Sequence, residues 1–227
     1  MSREGDRSGA AAPPEWMHRL QESVSDVPPS WFSRFLPPQE GGRQSAVLML
    51  FGPAADGGQD VVLTERSADL RSHAGQVAFP GGSLDPGDAG PVSAALREAR
   101  EEVGLSEEGV EIVTELPALY LPPSNFVVTP VIAWWSQPHP LGVVDAREVA
   151  RVVRASLDQL TDPEHRFTVT HPSGYVGPAF DVEGLLVWGF TAGLLAKTLE
   201  LAGLERPWDH SRRRPLPARF LSGSGRR

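Results

Sequence analysis

The sequence predicts a single α/β domain with a mixed sheet, in which strands alternate with two long helices. Short apolar or β-branched runs separated by Gly- and Pro-rich turns recur along the chain, as is typical of strands. Two longer segments, residues 93–103 and 185–201, have the length and composition of helices. A chain of 227 residues, 40% of them hydrophobic, is long enough to form one domain with a substantial core.

The N-terminal extension, residues 1–42, is rich in Pro, Gly and Ser and contains one predicted short helix. A proline pair precedes and another follows residues 15–26. Because proline interrupts helices, we place the helix between these pairs, at Glu15–Asp26. Met17 and Leu20 belong to an apolar stripe at helical spacing. We expect this stripe to pack on the main domain.

The main domain, residues 43–205, is predicted to begin with a β-hairpin. Residues 45–51 form a continuous apolar run, as expected of a strand buried on both faces. Residues 52–58 supply a Gly-rich turn, and residues 60–64 form the second strand. A helix is then predicted over Ser93–Val103, with Pro91 near its start and Gly104 as its left-handed stop.

The remaining elements are three strands, a group of strand edges and a second helix. They are predicted at Glu111–Leu121, Val127–Trp135, Glu148–Arg154, Phe167–Thr170 with Tyr175, and Leu185–Leu201. The last segment is apolar on nearly all sides, so it predicts a packed helix ended by Gly203, with Trp188, Phe190 and Thr191 as core residues. Residues 206–227, Arg-rich and interrupted by Pro and Gly-Ser, are predicted to be a disordered tail.

Composition excludes several classes of function. The net charge is −8, although residues 206–227 contain seven arginines and one aspartate, so the rest of the chain is strongly acidic. Such a surface predicts no nucleic-acid partner, since phosphate backbones require clustered Lys and Arg. The absence of cysteine excludes disulfides and zinc–thiolate sites. No apolar run approaches the length of a membrane span, and the polar N-terminus is unlike a signal peptide, so we expect a cytoplasmic protein without a membrane partner.

Three glutamates on the first long helix predict a metal site. Glu98 and Glu102 are four residues apart and lie about 40° apart on one helix face, with Glu101 beside them. Like charges this close repel, and hard oxygen ligands select Mg²⁺ or Mn²⁺. The alternative is a solvent-facing helix with a surface ion pair between Arg97 and Glu101.

The segment Gly82–Leu105 resembles the Nudix box, whose usual spacing is G-x5-E-x7-R-E-U-x-E-E-x-G-U. Residues 97–105 read R-E-A-R-E-E-V-G-L and fit its second half, with a small Ala99 at a bulky position. Asp88 stands in the place of the first glutamate, and the interval from Gly82 to Arg97 is one residue longer than usual. The resemblance implies an α/β/α sandwich and a divalent metal ion.

The preceding residues are similar to the signature of the coenzyme A diphosphatases within the Nudix superfamily. Leu63-Thr64-Glu65-Arg66-Ser67 is followed at fixed intervals by Arg71, Gly75 and Phe79-Pro80-Gly81-Gly82. The resemblance extends over residues 43–203. It implies metal-dependent hydrolysis of coenzyme A or acyl-CoA to 3′,5′-ADP and a 4′-phosphopantetheine product.

Candidate site residues follow from the helix and from this run. The metal ligands are Glu98, Glu101, Glu102 and the backbone carbonyl of Gly82, and the catalytic base is either Glu101 or Glu148, which could equally be a surface residue of a strand. Arginine suits phosphate because its planar fork donates two parallel hydrogen bonds. The substrate-binding candidates are Arg66, Ser67, Arg71, His73 and Gln76.

Two other functions stay open at this point. The same chemistry could act on NADH, ADP-ribose or another nucleoside diphosphate derivative. A nucleotide-binding module without turnover is a further alternative, although the chain keeps all three helix glutamates. In each case the partner is a small molecule, and the sequence leaves open a homodimer.

Overall fold

The computed structural model describes residues 11–33, 35–70, 73–122 and 124–221. Its helices are α1 (Glu15–Asp26), α2 (Pro29–Phe32), α3 (Pro91–Val103), α4 (Leu157–Thr161) and α5 (Gly189–Leu201). Its strands are β1 (Arg43–Pro53), β2 (Gln59–Arg66), β3 (Val77–Ala78), β4 (Gly81–Ser83), β5 (Val110–Glu115), β6 (Leu119–Leu121), β7 (Phe126–Trp135), β8 (Val149–Ser156), β9 (Arg166–Thr170), β10 (Val176–Val182), β11 (Leu185–Val187) and β12 (Arg213–Pro215).

Eight of the strands in the described residues form one mixed sheet. Its main path runs β3-β2-β1-β7-β5, while β4 pairs with β1, β6 with β7 and β8 with β2. Strand β1 is parallel to β7 and antiparallel to β2, with which it forms the predicted hairpin. Strand β4 also pairs with β1, opposite residues 45–47, and this pairing brings the Gly81-Gly82 turn onto the central sheet.

Helices cover both faces of this sheet, and the alternation along β1 shows why its sequence is continuously apolar. Leu48 and Leu50 pack in one cluster with α3, whereas Met49 and Phe51 pack in another with α1 and α5. Successive side chains of a strand point to opposite faces, so a strand between two helical layers has no polar side. The predicted α/β/α sandwich with a mixed sheet is confirmed.

The predicted N-terminal helix is confirmed as α1, and its apolar stripe packs on the main domain. Met17 and Leu20 are fully buried in the cluster that contains α5. The Trp16 indole Nε1 donates to Gln59 Oε1 at 2.7 Å, which fixes the helix to the start of β2. Residues 15–26 therefore contribute to the same core as the central sheet.

The prediction of one helix over Leu185–Leu201 is wrong for its first part. Leu185–Val187 is strand β11, which pairs with β10 in a second sheet of order β11-β10-β9-β12. Glu183 and Gly184, between β10 and β11, both have positive φ (51° and 73°), as in the tight turns that join antiparallel strands. Helix α5 begins only at Gly189, and Gly203 adopts the left-handed conformation after its end, as expected.

The prediction of a disordered tail is wrong for residues 206–221, which we call the C-terminal strap. Its strand β12 runs parallel to β9, and its residues Leu216 and Phe220 are buried with Phe167. Arg214 lies over the ring of Phe167 and pairs with Asp181 at 2.5 Å. Arg214 thus pairs with an acceptor on the second sheet, while two apolar side chains of the strap are buried beside it. Residues 222–227 lie outside the described residues.

Two further details of the sheet differ from the sequence prediction. The predicted strand Glu111–Leu121 is divided into β5 and β6, because Pro117 lies between them and cannot donate to a ladder. Strands β3 and β4 were not predicted; they are short, and the glycines of β4 have low strand propensity. None of the helices in the described ranges is long and apolar enough to cross a membrane.

Candidate active site

Helix α3 presents its glutamates to strand β4. Its N-terminus is Pro91, with Gly90 as the cap, and it ends at Gly104, whose φ of 73° is left-handed and whose N–H donates back to the last turn. Ala95 and Ala99 are fully buried against the central sheet, so the helix lies close to it. The small residue at position 99, a departure from the usual box, therefore serves close packing.

Glu102 is a buried carboxylate at the Gly81-Gly82 turn. Only 5% of the residue is exposed, and its Oε2 accepts a hydrogen bond from Gly81 N–H at 3.2 Å. Burial raises the pKa of Glu102 to about 7, and the negative charge of Glu98 adds to this, while the Gly81 N–H opposes it. The carboxyl is therefore placed where a cation would stabilise its charged form.

Glu98 packs directly against Gly82. A Cβ atom at position 82 would overlap the Glu98 carboxylate, so only glycine allows this approach. Burial raises the pKa of Glu98, although Arg97 donates to its Oε1 at 3.1 Å. Gly82 thus brings its backbone next to one carboxylate while the Gly81 amide contacts the other.

Arg97 donates hydrogen bonds to several acceptors on α3 and on the segment before it. Its Nε and Nη2 donate to the two oxygens of Asp88 at 3.2 and 3.0 Å, and its Nη1 donates to Glu98 and Glu101 at 3.1 and 3.2 Å. Nη2 also donates to the Ser83 carbonyl at 3.0 Å. The hydrogen bonds from Arg97 lower the pKa of Asp88 and raise that of Arg97 itself. Arg97 thereby orients two of the three helix glutamates.

The structure brings Glu98 and Glu102 together at the Gly81-Gly82 turn. Glu101 lies on a more exposed side of α3, although its charge still raises the pKa of Glu98. The side chain of Glu101 is 59% exposed and is held by Arg97. Glu148, just before β8, lies close enough for its charge to raise the pKa values of both Glu98 and Glu102. Across the ranges that the structure describes, no three His, Cys, Asp or Glu side chains converge into a ready metal site.

The donor set nevertheless fits a divalent cation. Two desolvated carboxylates, Glu98 and Glu102, repel each other at the Gly81-Gly82 turn, and the charge of Glu148 adds to this repulsion. Hard oxygen donors around concentrated negative charge are the environment that Mg²⁺ and Mn²⁺ prefer. A bound cation would remove the repulsion that the protein otherwise maintains.

Arg66, the last residue of β2, is a second cationic group of this site besides Arg97. Its charge acts on Glu102, where it opposes the rise in pKa. Its Nε is buried without a hydrogen-bond partner. Its backbone is fixed on both sides, since Arg66 N–H donates to the Gln76 carbonyl at 2.9 Å and Gly75 N–H donates to the Arg66 carbonyl at 3.1 Å.

Ser67, His73 and Gln76, three of the other predicted substrate-binding residues, lie between β2 and β3. Ser67 is buried, donates its N–H to the Glu148 carbonyl at 2.8 Å and accepts with Oγ from Asp69 N–H at 3.3 Å. His73 Nδ1 lies 3.0 Å from Gln76 Oε1, so these two side chains pair with each other. Arg71 lies outside the described residues.

Sequence reasoning did not foresee the contacts of Asp88 and Gly81, and it left the role of Glu148 open. Asp88 was identified only by its place in the box, and no local pattern indicates that it anchors an arginine nine residues later. The Gly81 amide contacts Glu102 only because β4 pairs with β1. Glu148 was expected either as a base or as a surface residue, and the structure places its charge near Glu98 and Glu102.

A separate groove of about 820 Å³ lies elsewhere on the molecule. It lies by α5 and the start of the strap, with Arg166, Lys197 and Trp208 among its lining residues and none of the site carboxylates. The convergence of carboxylates, glycines and Arg66 therefore identifies the candidate active site, and groove volume does not.

A model of the NUDIX domain matches residues 42–172, more than half of the chain. The chain belongs to the Nudix family. The uncharacterized Nudix hydrolase NudL of Citrobacter koseri is 40% identical to it over 179 residues, which cover 73% of this chain and 89% of that protein. Nudix hydrolase 3 of Caenorhabditis elegans is 36% identical over 141 residues, or 61% of this chain and 58% of that protein.

The Nudix fold is also found by structural comparison. The crystal structure of the Nudix hydrolase RenU from M. smegmatis superposes with a TM-score of 0.52 and 22% identity, covering 75% of this chain and 92% of that one. At this identity the likeness shows the fold alone. Nudix hydrolases act on nucleoside diphosphate derivatives and generally use divalent ions such as Mg²⁺ or Mn²⁺. The chain is thus a Nudix hydrolase, and its substrate is the next question.

Proposed function

We propose that this Nudix hydrolase cleaves the diphosphate bond of coenzyme A or its thioesters. The observation that carries the proposal is the placement of Arg66 beside Glu102, with a buried Nε that has no partner in the protein. Arg66 belongs to the run from Leu63 to Gly82 that is similar to the coenzyme A diphosphatase signature. A guanidinium held next to metal-binding carboxylates is suited to a phosphate group.

The reaction consumes one water molecule. The water oxygen forms a bond to one phosphorus of the diphosphate, and the bridging P–O bond breaks. The proton of the water passes to a protein carboxylate or to solvent, and the bridging oxygen leaves on the second phosphate. Coenzyme A thus gives 3′,5′-ADP and 4′-phosphopantetheine, and an acyl-CoA gives the acylated phosphopantetheine with its thioester intact.

Glu98, Glu102 and the carbonyl of Gly82 are the residues that would hold Mg²⁺ or Mn²⁺. When bound, such an ion neutralises diphosphate charge and polarises phosphorus, which lowers the barrier by several kcal/mol. Asp88 and Arg97 orient one of these ligands, because Arg97 donates a hydrogen bond to Glu98 and Asp88 accepts one from Arg97. Ligands fixed on a packed helix keep their positions, and small displacements at such a site are costly.

Glu148 and Glu101 are the two candidates for the base that takes the proton of the attacking water. Glu148 is favoured because its charge acts on both Glu98 and Glu102, and because its carbonyl is fixed by Ser67 N–H. Glu101 is held by Arg97 on an exposed side of α3. A Glu148→Gln variant should therefore lose more turnover than Glu101→Gln, which retains a hydrogen bond to Arg97.

The loop after β2 supplies the proposed substrate contacts. Arg66 and Arg71 are assigned to the phosphates, one of them to the 3′-phosphate that distinguishes coenzyme A from most diphosphates. His73 and Gln76, whose side chains pair with each other, are assigned to polar contacts with the substrate. Ser67 Oγ accepts from Asp69 N–H, and its O–H is assigned to the substrate.

A substrate panel tests the proposal directly. Purified protein is incubated with coenzyme A, acetyl-CoA, dephospho-CoA, NADH and ADP-ribose, each with Mg²⁺ and with Mn²⁺, and products are identified by mass spectrometry. We expect the highest kcat/KM for coenzyme A or acetyl-CoA, with 3′,5′-ADP as the shared product. A preference for NADH or ADP-ribose would assign another nucleotide substrate, and tight binding without products would indicate a binding module.

A further inference from the structure

The C-terminal strap is firmly attached to the second sheet. Thr168 N–H donates to the Arg212 carbonyl and Leu216 N–H donates to the Thr170 carbonyl, both at 2.9 Å, on either side of the β12–β9 pairing. Leu216 and Phe220 are 4% and 7% exposed. The end of the strap is therefore held in a defined position although it is far in sequence from the Nudix box.

Phe220, near the end of this strap, lies next to the active-site loop. Its ring is 5.7 Å from the ring of Trp188, the residue before α5. On another side it faces Gly75, where an added methyl group would lie 3.9 Å from Phe220 Cε1. Gly75 has a φ of 67°, so the loop makes a left-handed turn at the point where the aromatic ring supports it.

Gly75 in turn holds Arg66. The Gly75 N–H donates to the Arg66 carbonyl, and the Arg66 N–H donates to the carbonyl of the neighbouring Gln76. On the far side of Gln76, the Thr191 hydroxyl of α5 donates to the Val77 carbonyl at 2.8 Å. The base of the loop is thus fixed from α5 at Val77, and the strap lies next to it at Gly75.

We propose that Phe220 is a positioning residue of the active site. Through the position of its ring next to Gly75, Phe220 lets the C-terminal strap fix the backbone of Arg66, and so determines how tightly the substrate phosphates are bound. The role of Arg66 as a phosphate ligand rests on the proposed function; the mechanical link from Phe220 to Arg66 does not. Phe220 acts through Gly75, without contact to the reacting atoms.

Amide hydrogen exchange tests the mechanical link without any substrate. The amides of Arg66 and Gly75 are followed by NMR in the wild type, Phe220→Ala and Leu216→Ala, all well below their unfolding temperatures. Leu216→Ala is the matched control, because it removes a similarly buried side chain from the same strap, whereas the side chain that lies next to Gly75 is that of Phe220. We expect exchange at Arg66 and Gly75 to be about ten-fold faster in Phe220→Ala only. The Gly104 amide at the end of α3 should not change.

Equal exchange at Arg66 and Gly75 in the two variants would overturn the link. Should Phe220→Ala not fold, Phe220→Leu and Phe220→Val are compared with Leu216→Val, and the loop amides should exchange faster as the side chain at position 220 becomes smaller. Exchange that does not depend on that side chain would equally overturn the link.

Steady-state kinetics tests the consequence for substrate. For coenzyme A, Phe220→Ala should raise KM about ten-fold while kcat stays within about two-fold, because the metal-binding helix is untouched. Phe220→Leu should restore most of the affinity. A loss confined to kcat, or an equal rise in KM for Leu216→Ala, would contradict the positioning role. If the wild type does not hydrolyse coenzyme A, the proposed function fails, whereas the exchange experiment still decides the mechanical link.

Discussion

Arg97 and Asp88 form a two-point ion pair, in which Nε and Nη2 of the arginine meet the two carboxylate oxygens at 3.2 and 3.0 Å. Asp88 is itself fixed, because its Oδ2 accepts from Asp85 N–H at 2.8 Å. The pair therefore transmits the geometry of the loop before α3 to Glu98 and Glu101, which Arg97 also contacts. A residue outside the helix thus determines how two of its glutamates are aimed.

Asp88→Asn should lower kcat about ten-fold or more while leaving the fold intact, since a small displacement of a metal ligand is costly in rate. The amide keeps the shape of the side chain but loses the charge and one acceptor for the arginine fork. Asp88→Glu is the matched variant, because it keeps the carboxylate and should retain more activity. Turnover of Asp88→Asn equal to wild type would show that Arg97 holds its glutamates without this anchor.

Arg66→Ala should lower kcat/KM for coenzyme A by about ten-fold or more, as expected for the loss of one charge-assisted contact. If Arg66 binds the 3′-phosphate, dephospho-CoA should lose much less. Arg66→Lys retains the charge without the fork and serves as the comparison. Equal losses for the two substrates would assign Arg66 to the diphosphate, and no loss for either would remove it from the site.

Truncation after Glu205 should destabilise the protein strongly. It removes Leu216 and Phe220, each of which contributes roughly 1.5–3 kcal/mol through burial, so Tm should fall by roughly 6–24 °C. A chain ending at Leu221 retains every described contact of the strap and should melt within about 2 °C of the full chain. Melting curves of the three proteins decide this, and an unchanged Tm after truncation at Glu205 would mean that the strap contributes no stability.

The contrast between the box helix and the strap shows which features the sequence could predict. The ends of α3 and α1 are marked locally, by Pro91 with Gly104 and by flanking prolines, so both helices were predicted well. Burial of the strap depends on partners far away in sequence, such as Asp181 for Arg214. An arginine-rich segment has the same composition whether its charges meet solvent or acceptors on another strand.

The site shows the same division. Glu98 and Glu102 were predicted to share a helix face because their spacing is local. The approach of Gly82 to Glu98 depends on β4, and the exposed position of Glu101 depends on its ion pair with Arg97; no periodicity reveals either. Leu185–Val187 was misassigned for a related reason: an apolar run shows burial, and only the Glu183-Gly184 turn shows that it is a strand.

The stability of the metal-free protein should depend on pH through Glu102. Burial raises its pKa from 4.5 to about 7, so the folded state binds this proton more tightly than the unfolded state does. The stabilisation is complete below pH 4.5 and is lost as pH rises through 7, by an amount on the order of 3 kcal/mol.

Urea unfolding in excess EDTA between pH 4.5 and 8 measures this effect. The free energy of unfolding of Glu102→Gln, relative to wild type, should increase across the window, because glutamine has no proton to lose. Glu108→Gln changes an exposed glutamate outside the site and is the matched control. If the difference in unfolding free energy between Glu102→Gln and wild type is constant with pH, burial does not raise the pKa of Glu102.

The most direct test of the account is hydrolysis of coenzyme A in H₂¹⁸O, with Mg²⁺ or with EDTA, for the wild type, Glu98→Gln and Glu102→Gln. We predict that the wild type with Mg²⁺ gives 3′,5′-ADP and 4′-phosphopantetheine, with one ¹⁸O on the phosphate of one product. EDTA should abolish this reaction, and each variant should lower kcat by about two orders of magnitude or more. Undiminished hydrolysis in EDTA, or near-normal turnover in both variants, would contradict a metal-dependent site built on Glu98 and Glu102.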